Sequence, residues 1–245
     1  MAEIIEGRNP VVEALRAGRP IIKILLDRGT RSRSTVAEIL RLSKASGIPV
    51  EFVQKYVIDR QSLTCANQGV IAYAAAKDYV NLGELAAISK ERGELPLYCI
   101  LDGIEDPHNL GAILRTAEAT GVHGVIVRSR RAVGLTAAVA KGSAGAVEYI
   151  PVARVVNIPR AMETLKKNNV WLIGIDMTGK SDYSQVDFKL PTAIIIGSEG
   201  KGLSALVRKR CDIVAFIPMK GKVTSLNASV AAAIVMYEAF RQRSK

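Results

Sequence analysis

The stretch Thr192–Ser204, TAIIIGSEGKGLS, sets the fold class. Its AIIIG run is apolar without the alternation of a half-solvated strand, a pattern typical of a parallel strand buried on both faces. Three glycines, Gly197, Gly200 and Gly202, follow at once, with a carboxylate, Glu199, among them. Parallel sheets of this kind are covered by helices on both sides, and their ligands bind at the carboxyl ends of strands. The loop after this strand is therefore where chemistry is expected.

The loop is not a nucleotide-phosphate cradle. The P-loop pattern G-x-x-x-x-G-K-[ST] nearly fits from Gly197, but Leu203 stands where the lysine belongs. Glu199 would also aim negative charge at a phosphate. The dinucleotide pattern G-x-G-x-x-G fails because the glycine spacing is reversed. Glycines that let a ligand lie against backbone, next to a carboxylate, suit a neutral or cationic ligand. The plainer alternative is a left-handed turn ahead of a helix over Ser204–Lys209.

Outward from this loop, α/β alternation runs from Leu97 to the end of the chain. Strands are expected at Leu97–Asp102, Gly124–Val127, Glu148–Pro151, Val170–Asp176 and Ile213–Ile217, and helices at Leu110–Thr120, Thr136–Lys141, Pro159–Asn168 and Asn227–Arg241. Two further strand ends carry unusual residues. In LDGIEDPHNLGAILRTAEATG, residues 101–121, Asn109 is placed as a helix N-cap, and Arg115 either pairs with Glu118 along the helix or projects from it with a fork of donors suited to phosphate. In IPMKGKVTSLNASVAAAIVMYEAF, residues 217–240, Ser225-Leu226-Asn227 opens a long alanine-rich helix. One capping residue would suffice there; two flanking a bulky leucine suggest a second task.

Before Leu97 the chain reads as a separate module. Helices over Pro10–Arg16, Val36–Ser46 and Val57–Leu63 alternate with strands over Ile21–Leu26, Val50–Val53 and Val70–Ala75, giving a small α/β sandwich. Residues 1–75 form this domain and carry 11 basic and 7 acidic residues. Residues 76–95 are polar and read as a linker with a helical turn or two. Residues 96–245 form the second domain.

Composition narrows the function. Lys plus Arg number 34 against 23 acidic residues, a formal charge of +11. Clusters at Arg28–Arg33, Arg128–Arg131, Arg208–Arg210, Lys220–Lys222 and Arg241–Lys245 favour a polyanionic partner over a small acidic one. Cys65, Cys99 and Cys211 are scattered and read as buried thiols of a reducing cytoplasm. With two histidines, no ligand set has metal spacing, so no metal is expected. No apolar run approaches the ~18 residues that span a bilayer. A cytoplasmic protein with no membrane association is expected.

The three strand-end loops, in this order, resemble the sequence motifs of the SpoU/TrmH branch of the SPOUT RNA methyltransferases. The matching residues are Asn109 and Arg115, then Gly197-Ser198-Glu199-Gly200, then Ser225-Leu226-Asn227. The opening GRNPVVEALRAG is similar to the start of the substrate-binding domain, akin to ribosomal protein L-thirty-e, of the rRNA-modifying members. The resemblance implies a deep trefoil knot in the C-terminal domain and a homodimer with sites near its interface. It implies S-adenosyl-L-methionine as cofactor, held by Gly197, Ser198, Glu199, Gly200, Ile217, Pro218, Met219, Ser225, Leu226 and Asn227. The implied reaction is ribose 2′-O-methylation, with a guanosine in the peptidyl-transferase region of 23S rRNA as target and a tRNA ribose as the alternative.

Arg115 takes the central catalytic role in that reading, with Asn109, Glu199, Ser225 and Asn227 positioning it, the cofactor and the ribose. A guanidinium is a poor proton acceptor, so Arg115 is expected to orient a target phosphate and steady the incipient alkoxide. Two other classes compete. A non-catalytic RNA-binding protein would not need the Arg115, Glu199, Ser225 and Asn227 set. A Rossmann-type enzyme would show a glycine-rich loop after its first strand, where Asp102-Gly103-Ile104-Glu105 offers one glycine.

Overall fold

The computed structural model describes residues 3–30, 34–130 and 132–244. Arg31, Arg33, Arg131 and Lys245 of the basic clusters lie outside the described residues. The chain divides into two compact units. The first comprises Met1–Asp78 and Gly134–Tyr149, the second Tyr79–Val133 and Ile150–Lys245.

In the first unit the order is β1 (Glu3–Glu6), α1 (Arg8–Arg16), β2 (Ile21–Asp27), α2 (Ser34–Ala45), β3 (Val50–Val53), α3 (Lys55–Gln61) and β4 (Val70–Ala74). The sheet order is β1-β4-β2-β3, with only β2 and β3 parallel. Side chains from α1 and α2, among them Val11, Leu15, Val36 and Ile39, form a core on the sheet with Ile24, Leu26 and Val70. A smaller cluster of Leu25, Ile58 and Ile71 involves α3. Helices thus pack on both faces, because β2 and β4 are apolar at successive positions.

Two features of this unit depart from the sequence reading. The strand Glu3–Glu6 is not among the expected elements; its Glu6 is buried and accepts hydrogen bonds from Leu63 N, Thr64 N, Thr64 Oγ1 and Ser62 Oγ. Burial pushes the Glu6 pKa up, but these donors together hold it below the usual carboxylate value. The second departure is in the excursion at 134–149: α6 (Ala137–Gly142) takes the place of the expected helix Thr136–Lys141, but a 3-10 turn over Ala146–Glu148 runs into the span where a strand at Glu148–Pro151 is expected. Glu148 is buried in an ion pair with Arg19, 2.6 Å away, whose other amino group meets Glu3. Gly145, at φ 94, turns the chain against Glu13, where a Cβ would come within 2.6 Å of that side chain.

The second unit holds a seven-stranded, all-parallel sheet. Its elements are α4 (Leu82–Glu91), β5 (Leu97–Asp102), α5 (Pro107–Ala119), β6 (Gly124–Arg128), β7 (Val152–Val155), α7 (Ile158–Lys167), β8 (Trp171–Ile175), β9 (Ser181–Asp182), β10 (Thr192–Gly197), α8 (Ala205–Arg210), β11 (Ile213–Phe216) and α9 (Ala228–Arg243). The strand order is β7-β6-β5-β10-β8-β11-β9. The AIIIG strand, β10, is central and buried along its length, between β5 and β8. One face packs against α4, α7 and α8 through Leu85, Met162, Leu165 and Val207. On the other, α5 and α9 pack together and α9 meets β10.

Residues 76–95 hold more structure than a linker with a turn or two. Within them α4 runs for ten residues, opened by a capping box in which Asn81 accepts from Glu84 N and Glu84 accepts from Asn81 N. Cys99 is buried as expected and Cys211 half-buried, but Cys65 is exposed. No helix among the described residues is long and apolar enough to cross a membrane.

Candidate active site at the carboxyl ends of β5, β8 and β10

The loop after β10 is closed on itself and braced from both neighbouring strands. Ser198 N donates to Gly202 O at 3.1 Å, and Gly202 N returns a bond to Ser198 O at 2.9 Å. This hairpin brings the chain so close that a Cβ on Gly197 would lie 2.2 Å from the Gly202 carbonyl carbon. Only glycine fits there. Because β10 lies between β5 and β8, an aspartate at the end of each can reach the loop. Asp102 Oδ2 accepts from Ser204 N at 2.8 Å, and Asp176 Oδ2 from Leu203 N at 3.1 Å.

The sequence reading does not single out Asp176. Its Oδ1 accepts from Thr178 N at 3.0 Å and Thr178 Oγ1 at 2.7 Å. Burial raises its pKa, yet these donors, Leu203 N and the nearby Arg208 charge hold it below the usual value. The signal available is an aspartate ending an apolar strand, WLIGID, just as Asp102 ends YCILD.

A second correction concerns α5. Its N-cap is Asp106, which accepts from His108 N at 3.0 Å, with Pro107 at the first helical position; Asn109 is not the cap. Proline keeps the residue before it out of the helical region and is itself suited to the first turn. The helix thus starts three residues before the expected Leu110, and Asn109 is free for another role.

That role is a junction of three side chains. Asn109 is buried, and its Nδ2 donates to Glu199 Oε1 at 2.9 Å. Asn227 Nδ2 donates to Asn109 Oδ1 at 2.9 Å and to the same Glu199 oxygen at 2.5 Å. Asn227 Oδ1 also caps α9, accepting from Ser229 N and Val230 N. Each strand-end loop thus contributes one residue. Two amides, both donating to one oxygen, fix the rotamer of the Glu199 carboxylate.

The junction borders a cavity of about 350 Å3. Gly197, Ser198, Glu199 and Gly200 line it, as do Ile217, Met219, Ser225 and Leu226. Pro218 and Asn227 are not in its lining. Residues not anticipated there include Ile175, Asp176, Met177 and Thr178 after β8, and Arg208 on α8. Arg115 stands apart. It is exposed on α5, has no hydrogen-bond or ion-pair partner among the described residues, and lines neither this cavity nor the adjoining one bounded by Asn109 and Glu199.

Comparison with known proteins places this geometry. The model of the SpoU rRNA methylase family matches residues 96–237, which contain all three loops. The chain belongs to the SpoU family of RNA methyltransferases. A second family model, described as RNA 2′-O ribose methyltransferase substrate binding, matches residues 4–80. A Bacillus subtilis protein assigned to the TrmH family of tRNA/rRNA methyltransferases is 44% identical over 99% of this chain and 96% of its own. A Staphylococcus saprophyticus protein assigned to the same family is 47% identical over 98% of this chain and 96% of its own. Among solved structures, the SpoU methyltransferase AviRb of Streptomyces viridochromogenes in complex with the cofactor AdoMet is similar, with a TM-score of 0.82 and 28% identity over 98% of this chain and 90% of that one. An AdoMet-bound rRNA methyltransferase from Sinorhizobium meliloti has a TM-score of 0.79 and 27% identity, covering 98% and 87%. SpoU membership accounts for the spacing of the three loops and removes the Rossmann-type reading. No group of three or more His, Cys, Asp or Glu side chains among the described residues is placed to hold a metal ion.

Proposed function

We propose that this SpoU family protein transfers the methyl group of S-adenosylmethionine to a ribose 2′-oxygen of large-subunit ribosomal RNA, at a guanosine of the peptidyl-transferase region. The observation that carries the reading is the Asn109–Glu199–Asn227 junction at the edge of the 350 Å3 cavity. The cavity suits that cofactor. Its size lies in the range of small-molecule sites, Ile175, Ile196, Ile217, Leu226 and Ala231 offer an apolar wall for a purine, and Glu199 faces it with a charge opposite to that of a sulfonium. The bound cofactor supplies an electrophilic methyl carbon on a positively charged sulfur.

The protein's own groups then have separate tasks. Glu199, fixed by two amide donors, orients the cofactor end of the reaction. Ser225, exposed at the cavity, is within the loop that the incoming ribose must pass. Arg115 grips the phosphate beside the target ribose with its planar fork. The 2′-hydroxyl would pass its proton to the phosphate that Arg115 holds and on to water, so that its oxygen could accept the methyl group that the cofactor would supply. Holding the two reactants in line accounts for roughly 7 kcal/mol or more of barrier reduction.

The same reading includes a homodimer and the knotted arrangement of the family's C-terminal domain. Arg115 lies outside the cavity of its own chain, and α9, packed on α5, exposes Val230, Tyr237 and Phe240. An apolar helix face beside an unused catalytic arginine supports a second copy there, with sites near the interface. The first unit serves as the RNA-recognition module in the cytoplasm. The deciding experiment maps ribose methylation on RNA from cells lacking the protein, alongside calorimetric titration with S-adenosylmethionine in chelator. Loss of one guanosine methylation in 23S rRNA is expected; loss at a tRNA ribose would move the substrate, and absence of cofactor binding would remove the enzyme reading.

A further inference from the structure

S-adenosylmethionine is a zwitterion at its amino-acid end, so a site that holds it well offers a cation for the carboxylate. Two cations line the cavity, Lys201 and Arg208. Lys201 is exposed on the loop after β10, whereas Arg208 is half-buried on α8. Arg208 has no ion pair among the described residues. Its Nη2 donates to Leu203 O at 3.2 Å and its Nη1 donates weakly to Thr178 Oγ1 at 3.4 Å. Its Nε is buried with no hydrogen-bond partner among the described residues.

A guanidinium has five donors. The structure uses two of them here and leaves a buried N–H unmet, which is a costly arrangement unless something else satisfies it. Asp176 lies close enough to feel the charge, but its own oxygens are already taken by Thr178 and Leu203. A flat, partly satisfied fork at a cavity wall matches a carboxylate, which can accept two parallel bonds.

Resting on the methyl-donor reading above, we infer that Arg208, backed by Thr178, holds the carboxylate of the cofactor's amino-acid end. The adenosine end then lies toward the apolar wall, and the sulfonium between them comes under Glu199. The assignment separates ligands that carry the amino-acid end, with its carboxylate, from one that lacks that end altogether. S-adenosylmethionine and S-adenosylhomocysteine carry the carboxylate; 5′-methylthioadenosine does not.

The test is calorimetric titration of the full-length protein with all three ligands, for wild type, Arg208→Gln and Arg208→Ala. Glutamine keeps a donor for Leu203 O and removes the charge, so it guards against a collapsed loop. One charge-assisted interaction corresponds to a loss of about 10- to 100-fold in affinity. That loss is expected for the two carboxylate ligands in both variants, with 5′-methylthioadenosine binding unchanged within about 3-fold. Equal losses for all three ligands, no loss in Arg208→Gln, or the same selective loss in Lys201→Ala instead would overturn the assignment while leaving the cofactor reading in place. Wild type that binds none of the three ligands would overturn both.

Discussion

Asn227 Nδ2 donates to Asn109 Oδ1 at 2.9 Å while Asn227 Oδ1 caps α9. One side chain therefore starts a helix and closes the junction at the candidate site, and the two tasks can be separated by substitution. Serine at this position keeps an N-cap acceptor but cannot reach both Asn109 and Glu199. Asn227→Ala should lower stability by about 1 kcal/mol, as loss of a cap does, whereas Asn227→Ser should change it by less than about half of that. Both should lose most activity, because Glu199 is no longer held. Thermal melts and turnover on target RNA check this; an active Ser variant would show that capping is the residue's only task.

Arg115 is exposed and has no partner among the described residues that its removal could strand. Arg115→Ala should leave the melting temperature and cofactor affinity unchanged and abolish turnover. Arg115→Lys should also fail, since a point charge does not reproduce a bidentate fork. If Arg115 serves the cavity of a second copy, mixing inactive Arg115→Ala and Asn227→Ser chains should restore activity. In a symmetric dimer formed by random exchange, about a quarter of the sites would then be intact. No recovery after exchange places Arg115 and Asn227 in the same subunit's site.

The parallel sheet is legible because a strand buried on both faces must be apolar at successive positions, and AIIIG, YCIL and WLIGI are. The site residues are legible in kind but not in role. Asn109 looks like a cap because asparagine commonly is one; the Asp106-Pro107 pair upstream is what releases it. Arg208 sits in a basic run that reads as a solvated face, and nothing local distinguishes it from Lys209. The helix within the excursion at 134–149 is legible, but its place in the first unit is not, since that rests on α6 packing against β1, on the 146–148 turn meeting α1, and on Glu148 meeting Arg19 across 129 positions. Local pattern gives elements; such a distant pairing leaves no periodic trace.

Asp176 predicts the acid limb of stability. Its pKa in the folded protein is lowered, so the unfolded chain binds the proton more readily. The stabilisation is fully present above the ordinary carboxylate pKa and is lost as pH falls through the lowered folded value. Asp176→Asn should therefore be less stable than wild type at neutral pH, with the difference shrinking on acidification. Because Asp176 tethers Leu203 N, the variant should also bind S-adenosylmethionine more weakly. Denaturant midpoints measured across acidic pH check the sign; a gap that widens with acid would contradict it.

The two units can be separated only by a cut that respects the excursion. Removing residues 1–75 alone would uncover Val139, Ala140 and Val147, which are buried within the first unit, and would strip Arg19 from Glu148. Breaking a buried pair by losing one partner costs about 3–5 kcal/mol, so Arg19→Met should destabilise the first unit by that order and the simple truncation should aggregate. A better variant lacks residues 1–78 and replaces 134–149 with a Gly/Ser linker of about ten residues, which reaches ~33 Å when extended. It retains Asp102, Asn109, Asp176, Glu199, Arg208 and Asn227, so its S-adenosylmethionine affinity should stay within about 2-fold of wild type, a difference of less than half a kcal/mol. Its RNA binding should fall, because the basic residues of the first unit are gone. For every phosphate that the shortened protein no longer neutralises, the slope of log affinity against log salt becomes shallower by about 0.9 on a duplex and about 0.7 on a single strand. RNA titrations of both proteins at several salt concentrations measure this slope directly. An unchanged slope and unchanged RNA affinity would mean that the second unit alone recognises the substrate.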